Sequence, residues 1–208
     1  MLNNKFICLA FVGMVLSACT SVRQMTLFNS SVTTYTQPVP RPFIITPNDR
    51  LSIHFSALDP EAVKAFSSAG DRFVVYDDGS IVIPGIGNVK VGGLTEEQAQ
   101  TLITEKISAH AKNAIVYVSI YNASATILGE VRQPQRIEMS SPISIISAIG
   151  IAGDFTPNAR RDNIMVQRKE GQNVKIYKVN MLTDDIFTSP CYYLQKGDVI
   201  YVSQLHSK

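Results

Sequence analysis

Apolar residues recur along this chain at two periods, and the places where the period changes mark out its elements. Leu51, Ile53 and Phe55 alternate with polar neighbours, the period of a half-buried strand. Apolar runs at 73–76 and 81–84 flank Asp77-Asp78-Gly79-Ser80, where glycine supplies the positive φ of a tight turn, so a hairpin is predicted. Pro84-Gly85 and Gly92-Gly93 mark further turns. The period then lengthens, and Ala99, Leu102, Ile103 and Ile107 share one face of a helix. Thr95 and Gln98 have the spacing of a capping box, and Glu96 and Glu97 suit the positive helix start. Val116, Val118 and Ile120 return to a period of two.

After Asn122 the same grammar repeats. Residues 125–131 read as a strand followed by a turn at Pro134. Ser141-Pro142 has the form of an N-cap and first helical residue, Ile145, Ile146 and Ile149 form the apolar face, and Gly153 fits the stop. A strand carrying Ile164, Val166 and Arg168 turns at Gly171 into another, with Val174, Ile176, Tyr177 and Val179 apolar and Lys175 and Lys178 polar. Gly197-Asp198 leads into a last strand at 199–202. Each unit is a small sheet carrying one helix, so the predicted fold class is α+β, two small domains in tandem.

The N-terminus follows different rules. Lys5 precedes an uncharged apolar run at 6–15, then Leu16-Ser17-Ala18-Cys19. Such a run is too short for the roughly 20 residues of a membrane helix and has the layout of a secretory signal. Cys19 directly after Leu-Ser-Ala resembles the lipobox of bacterial lipoproteins. The resemblance implies removal of residues 1–18 and acylation of Cys19. Thr20 stands where an inner-membrane retention signal would carry Asp, so the expected destination is the outer membrane, lipid-anchored and facing the periplasm. Residues 19–42, rich in Ser and Thr and then in alternating prolines, are expected to be an extended tether.

Composition narrows the chemistry. The 208 residues carry 19 basic and 17 acidic side chains. That near-neutrality argues against a nucleic-acid partner. Of three cysteines, Cys8 falls in the signal, Cys19 takes the lipid and Cys191 is left without a partner, which predicts burial over an intermolecular bridge. His54, His110 and His206 are scattered, so neither metal nor cofactor is expected. Asp77 and Asp78 are adjacent on a turn and point apart, which suits turn chemistry and not an acid–base pair. No catalytic residues are assigned, and the chain is expected not to be an enzyme.

Longer stretches carry a resemblance to the bacterial polysaccharide biosynthesis/export proteins. Residues 45–53, Ile-Thr-Pro-Asn-Asp-Arg-Leu-Ser-Ile, are similar to the opening of the export domain, with Asn48 where the family prefers Gly. Asp77-Asp78-Gly79-Ser80-Ile81, Pro84, Gly87 and Val91-Gly92-Gly93-Leu94-Thr95-Glu96-Glu97 match its most characteristic stretch. Leu128-Gly129-Glu130-Val131, Pro134, Ala152-Gly153 and residues 193–202 resemble the SLBB domain, a β-grasp module, with Gln135 and Asp154 in place of two glycines. The implied organisation is a signal at 1–18, a tether at 19–42, an export-type α/β sandwich at 43–122 and a β-grasp-like SLBB domain at 123–208. The resemblance further implies a homo-oligomeric periplasmic ring that conducts a polysaccharide chain and meets an inner-membrane copolymerase. Larger members add a C-terminal pore helix, which the residues after Val202 do not supply, so a short-form export subunit is expected. The alternative is an accessory or sugar-binding lipoprotein. For that reading Arg160, Arg161, Arg168 and Lys169 are the candidate contacts to polysaccharide or lipid, weighed against ordinary solvated surface charge.

Overall fold

The computed structural model describes residues 38–205 together with Leu27, Thr34 and Thr36. The expected signal, Cys19 and most of the expected tether lie outside the described residues. Among the described residues, ten strands and three short-to-medium helices follow one another as β1 (Arg50–Ser56), α1 (Glu61–Lys64), β2 (Arg72–Val74), β3 (Ser80–Ile83), β4 (Gly87–Lys90), α2 (Glu96–Ser108), β5 (Ile115–Ile120), β6 (Ser124–Gly129), β7 (Gln135–Glu138), α3 (Ile145–Ile151), β8 (Ala159–Glu170), β9 (Asn173–Val179) and β10 (Val199–Gln204). A 3-10 turn at Asp184–Thr188 precedes the last strand.

The architecture is α+β, as the two periods predict. In the first half an antiparallel sheet of order β2-β1-β5 and a separate β3-β4 ribbon enclose a core with α2. Leu51 and Ile53 point inward from β1, Val116, Val118 and Ile120 from β5, and Ala99, Ile103 and Ile107 from α2. The capping box forms in both directions, Thr95 Oγ1 accepting from Gln98 N at 3.2 Å and Gln98 Oε1 accepting from Thr95 N at 3.0 Å. The second half is a five-stranded sheet of order β7-β6-β10-β8-β9 in which β6 and β10 run parallel, with the apolar face of α3 buried against it. Ile127, Ile164, Val166, Ile200 and Val202 fill that core.

Two local expectations change, and one strand goes unforeseen. Gly79 adopts φ 79 and the turn closes through Tyr76 N to Ser80 O at 2.8 Å, but its two flanks part: β2 pairs with β1 and β3 pairs with β4. The second helix starts later than Ser141-Pro142, with Ser144 as N-cap and its Oγ accepting from Ser147 N at 3.0 Å. The reason is tertiary, since residues 143–145 are held extended against the closing segment by Leu194 N to Ile143 O at 2.9 Å and Ile145 N to Tyr192 O at 2.8 Å. Strand β7 carries no visible period because Ile137 is its one buried residue, and it forms only by pairing with β6.

Candidate functional site

The two halves present the same turn to each other. Thr46-Pro47-Asn48-Asp49 and Gln195-Lys196-Gly197-Asp198 each close with the aspartate N–H on the carbonyl three residues back, both at 3.1 Å. Each aspartate accepts in return from that residue's N–H, 2.7 Å at Thr46 and 2.9 Å at Gln195. The third position is left-handed in both, φ 69 at Asn48 and 83 at Gly197, which Asn tolerates better than other side chains. Lys196 of the second turn reaches across to Asp49 of the first and to Thr46 Oγ1 at 2.9 Å, a contact spanning about 150 residues of sequence.

Asp198 takes a different cation. Its carboxylate is fully buried and receives Arg168 Nε at 2.9 Å and Arg168 Nη2 at 2.6 Å. Two further guanidinium N–H groups donate to the carbonyls of Pro190 and Tyr193, both at 3.1 Å. Burial alone would lower the Arg168 pKa; the bonds to Asp198 outweigh it and leave the guanidinium above its ordinary value. Cys191 lies beside this centre with no exposed surface, and burial pushes its thiol up to about 11.

Over this centre runs a groove of about 1000 Å³. Residues 38–42 form one wall, and Arg168, Tyr177, Pro190, Tyr193 and Gln195 form the other. Gln195 Nε2 donates to Arg41 O at 3.5 Å, so the proline segment lies along the second half where the groove begins.

The four basic side chains of β8 do not converge. Arg160 pairs with Asp162 at 3.1 Å on the surface. Arg161 stacks over the Phe155 ring at 5.3 Å. Arg168 is committed to Asp198 with 13% of its side chain exposed, and only Lys169 stands free in solvent on the hairpin. The Asp77-Asp78 turn is equally committed. Asp78 accepts from Ser80 Oγ at 2.6 Å and from Lys90 at 2.9 Å, and these contacts, the serine first, hold its carboxyl well below the usual range. A general acid would need the opposite shift. Among the described residues no three His, Cys, Asp or Glu side chains converge as a metal site.

The outer sheet faces were not foreseen as functional, because periodicity gives which residues alternate but not what covers them. On the five-stranded sheet, Leu128, Tyr201 and Met165 form one outward row, and Val199, Gln167 and Ile176 the next. Ile176 is 62% exposed and Val174, further along β9, 58%.

Two family models match the chain, that of the polysaccharide biosynthesis/export protein over residues 37–121 and that of the SLBB domain over residues 123–202. Among curated proteins the chain is similar to the capsule polysaccharide export protein BexD of Haemophilus influenzae, 26% identical over 130 residues. That match covers 61% of this chain and 32% of the relative, so the chain spans about a third of the relative's length.

Proposed function

We propose, on the premise that this chain belongs to the polysaccharide export family, that it is a non-catalytic subunit of a capsule or exopolysaccharide export conduit. Its place is the periplasmic side of the outer membrane, held there by lipid on Cys19, and copies of it assemble into a ring. The observation that carries this reading is the tandem of export and SLBB domains over nearly all the described residues. The largely apolar outer face with Leu128, Tyr201, Val174 and Ile176 exposed among the described residues supports assembly, because apolar patches rimmed by polar groups are where protein partners settle. Strands β7 and β9 end the sheet with unpaired backbone groups, which offers a heterologous contact that closes by rotation. An inner-membrane copolymerase is the expected partner on the periplasmic side.

A second reading, an accessory lipoprotein that holds a sugar, is favoured by the groove along residues 38–42, with Arg160, Arg161 and Lys169 on the neighbouring strand. The experiment is a deletion of the gene with surface polysaccharide measured, beside the mass of the detergent-solubilised lipoprotein by light scattering. Lost surface polysaccharide together with a closed oligomer supports the conduit subunit. Unchanged polysaccharide from the deletion strain refutes it, and a monomer whose loss only reduces polysaccharide supports the accessory reading. Labelling with a palmitate analogue that vanishes in Cys19→Ser tests the anchor.

A further inference from the structure

The outer face of the three-stranded sheet β2-β1-β5 differs in chemistry from the more aliphatic outer face of the second half. Register places Val74, Arg50 and Tyr121 in one row, the last through Tyr121 N to Arg50 O at 3.0 Å. Arg72, Ser52 and Ser119 form the next row, and His54 faces Tyr117 in the one after. The inside–outside alternation of β2 continues through Val75, buried, to Tyr76, exposed. Tyr117 is 58% exposed and Tyr76 54%, unusually open for side chains of that size. Arg72 lies 5.6 Å over the Tyr121 ring, and neither Arg72 nor Arg50 has a carboxylate within ion-pair distance among the described residues. Asp71, at the edge of this sheet, faces His54 at 3.7 Å. The face is therefore a flat field of tyrosine rings and hydroxyls with an excess of positive charge.

We propose that this sheet face is a binding surface for an anionic, uronate-containing polysaccharide. A pyranose ring has an apolar face of C–H groups and an equatorial rim of hydroxyls. Tyrosine offers the matching flat body and polar tip, and serine and histidine offer donors and acceptors at the level of the rim. Arg50 and Arg72 supply fork-shaped donors suited to a uronate carboxylate. Tyr117 on β5 and Tyr121 just past its end stand four residues apart on one edge, about 14 Å in extended chain, so successive sugars can be held by successive rows. All these groups are solvated and screened, so each contact is weak. Weak contacts spread along a track let a long chain be held without stalling. The outer face of the second sheet is mainly Leu128, Met165, Val174 and Ile176 with Tyr201 among them, and its lysines, Lys169 and Lys178, are point charges without the arginine fork, which is why the sugar is assigned here and protein contact there.

This inference rests on the export reading, and two experiments separate them. The full lipoprotein in detergent is titrated with hyaluronan oligosaccharides, a uronate-bearing probe, and with neutral dextran of matched length. Hyaluronan binding that weakens with added salt, with dextran weaker by about tenfold or more, is the expected result. Arg50→Gln with Arg72→Gln, and separately Tyr117→Ala with Tyr121→Ala, should each weaken hyaluronan binding by about tenfold while the circular dichroism spectrum stays that of the parent. Equal binding by parent and variants, or no hyaluronan binding by the folded parent, overturns the surface. So does a change in oligomeric mass without a change in sugar binding, which would make the face a contact between copies. In cells, a deletion that abolishes surface polysaccharide but is fully complemented by a variant carrying all four substitutions together also overturns the surface and leaves the export role intact. A deletion without effect refutes the export role, while the titration still decides the surface.

Discussion

Replacing Arg168 by Met removes the cation from a carboxylate that has no exposed surface. Asp198 would keep the Gln195 N–H but lose both guanidinium nitrogens, and the carbonyls of Pro190 and Tyr193 would each lose a donor. Orphaning one member of a buried ion pair costs about 3–5 kcal/mol. For a chain of this size that lowers the melting temperature by about 6–20 °C. Neutralising the orphan as well, in Arg168→Met with Asp198→Asn, should recover about 1–3 kcal/mol, since the amide oxygen can still accept from Gln195. The assay is urea denaturation followed by far-ultraviolet circular dichroism, because the chain has no tryptophan. A single variant within about 1 kcal/mol of the parent, or a double variant no more stable than the single, would refute the structural role of this pair and return Arg168 to the list of sugar contacts.

At Gly129, with φ 87, a Cβ would sit 2.0 Å from Val202 O, so Gly129→Ala should separate β6 from β10 and destabilise by more than about 1 kcal/mol, read from the same denaturation curve. Lys196→Gln should cost about 1.5–3 kcal/mol and speed proteolysis between the halves near residues 121–124, which timed digestion with mass spectrometry would register. The Cys191 thiol should resist alkylation at pH 8 in the native protein and react on unfolding, followed by peptide mapping. Because its folded pKa is raised to about 11, the unfolded thiol ionises first, near its ordinary value of about 8.5. Stability should therefore fall as pH rises between those values, and the fall should be smaller in Cys191→Ala.

Local chemistry was legible wherever cause and effect lie within one turn. The capping box at Thr95 and Gln98, the inward Ala99, Ile103 and Ile107, the turn at Gly79 and the left-handed Asn48 all follow from neighbours a few residues apart. The burial of Cys191 agrees with its lack of a second free cysteine in the expected mature chain. Misreadings came where distant chain intervened. Ser141-Pro142 has the form of a helix start, yet pairing with residues 192–194 keeps that stretch extended and moves the cap to Ser144. Strand β7, with Ile137 alone buried, has no period to read.

By itself the sequence determined two α+β units, their core faces and their kinship, because period, caps and turns are relations between near neighbours. Only the tertiary structure decided what each charge does. Arg168 and Arg160 lie on one strand with the same parity, yet Arg168 is drawn into Asp198, 30 residues away, while Arg160 stays on the surface. Lys196 meets Asp49 only once both halves have closed. Alternation told which side of a strand Tyr117 and Ile176 occupy, but not that both stay exposed among the described residues. Partners and exposure depend on how far-apart segments come together, and chain closure leaves no periodic trace in the residues it joins.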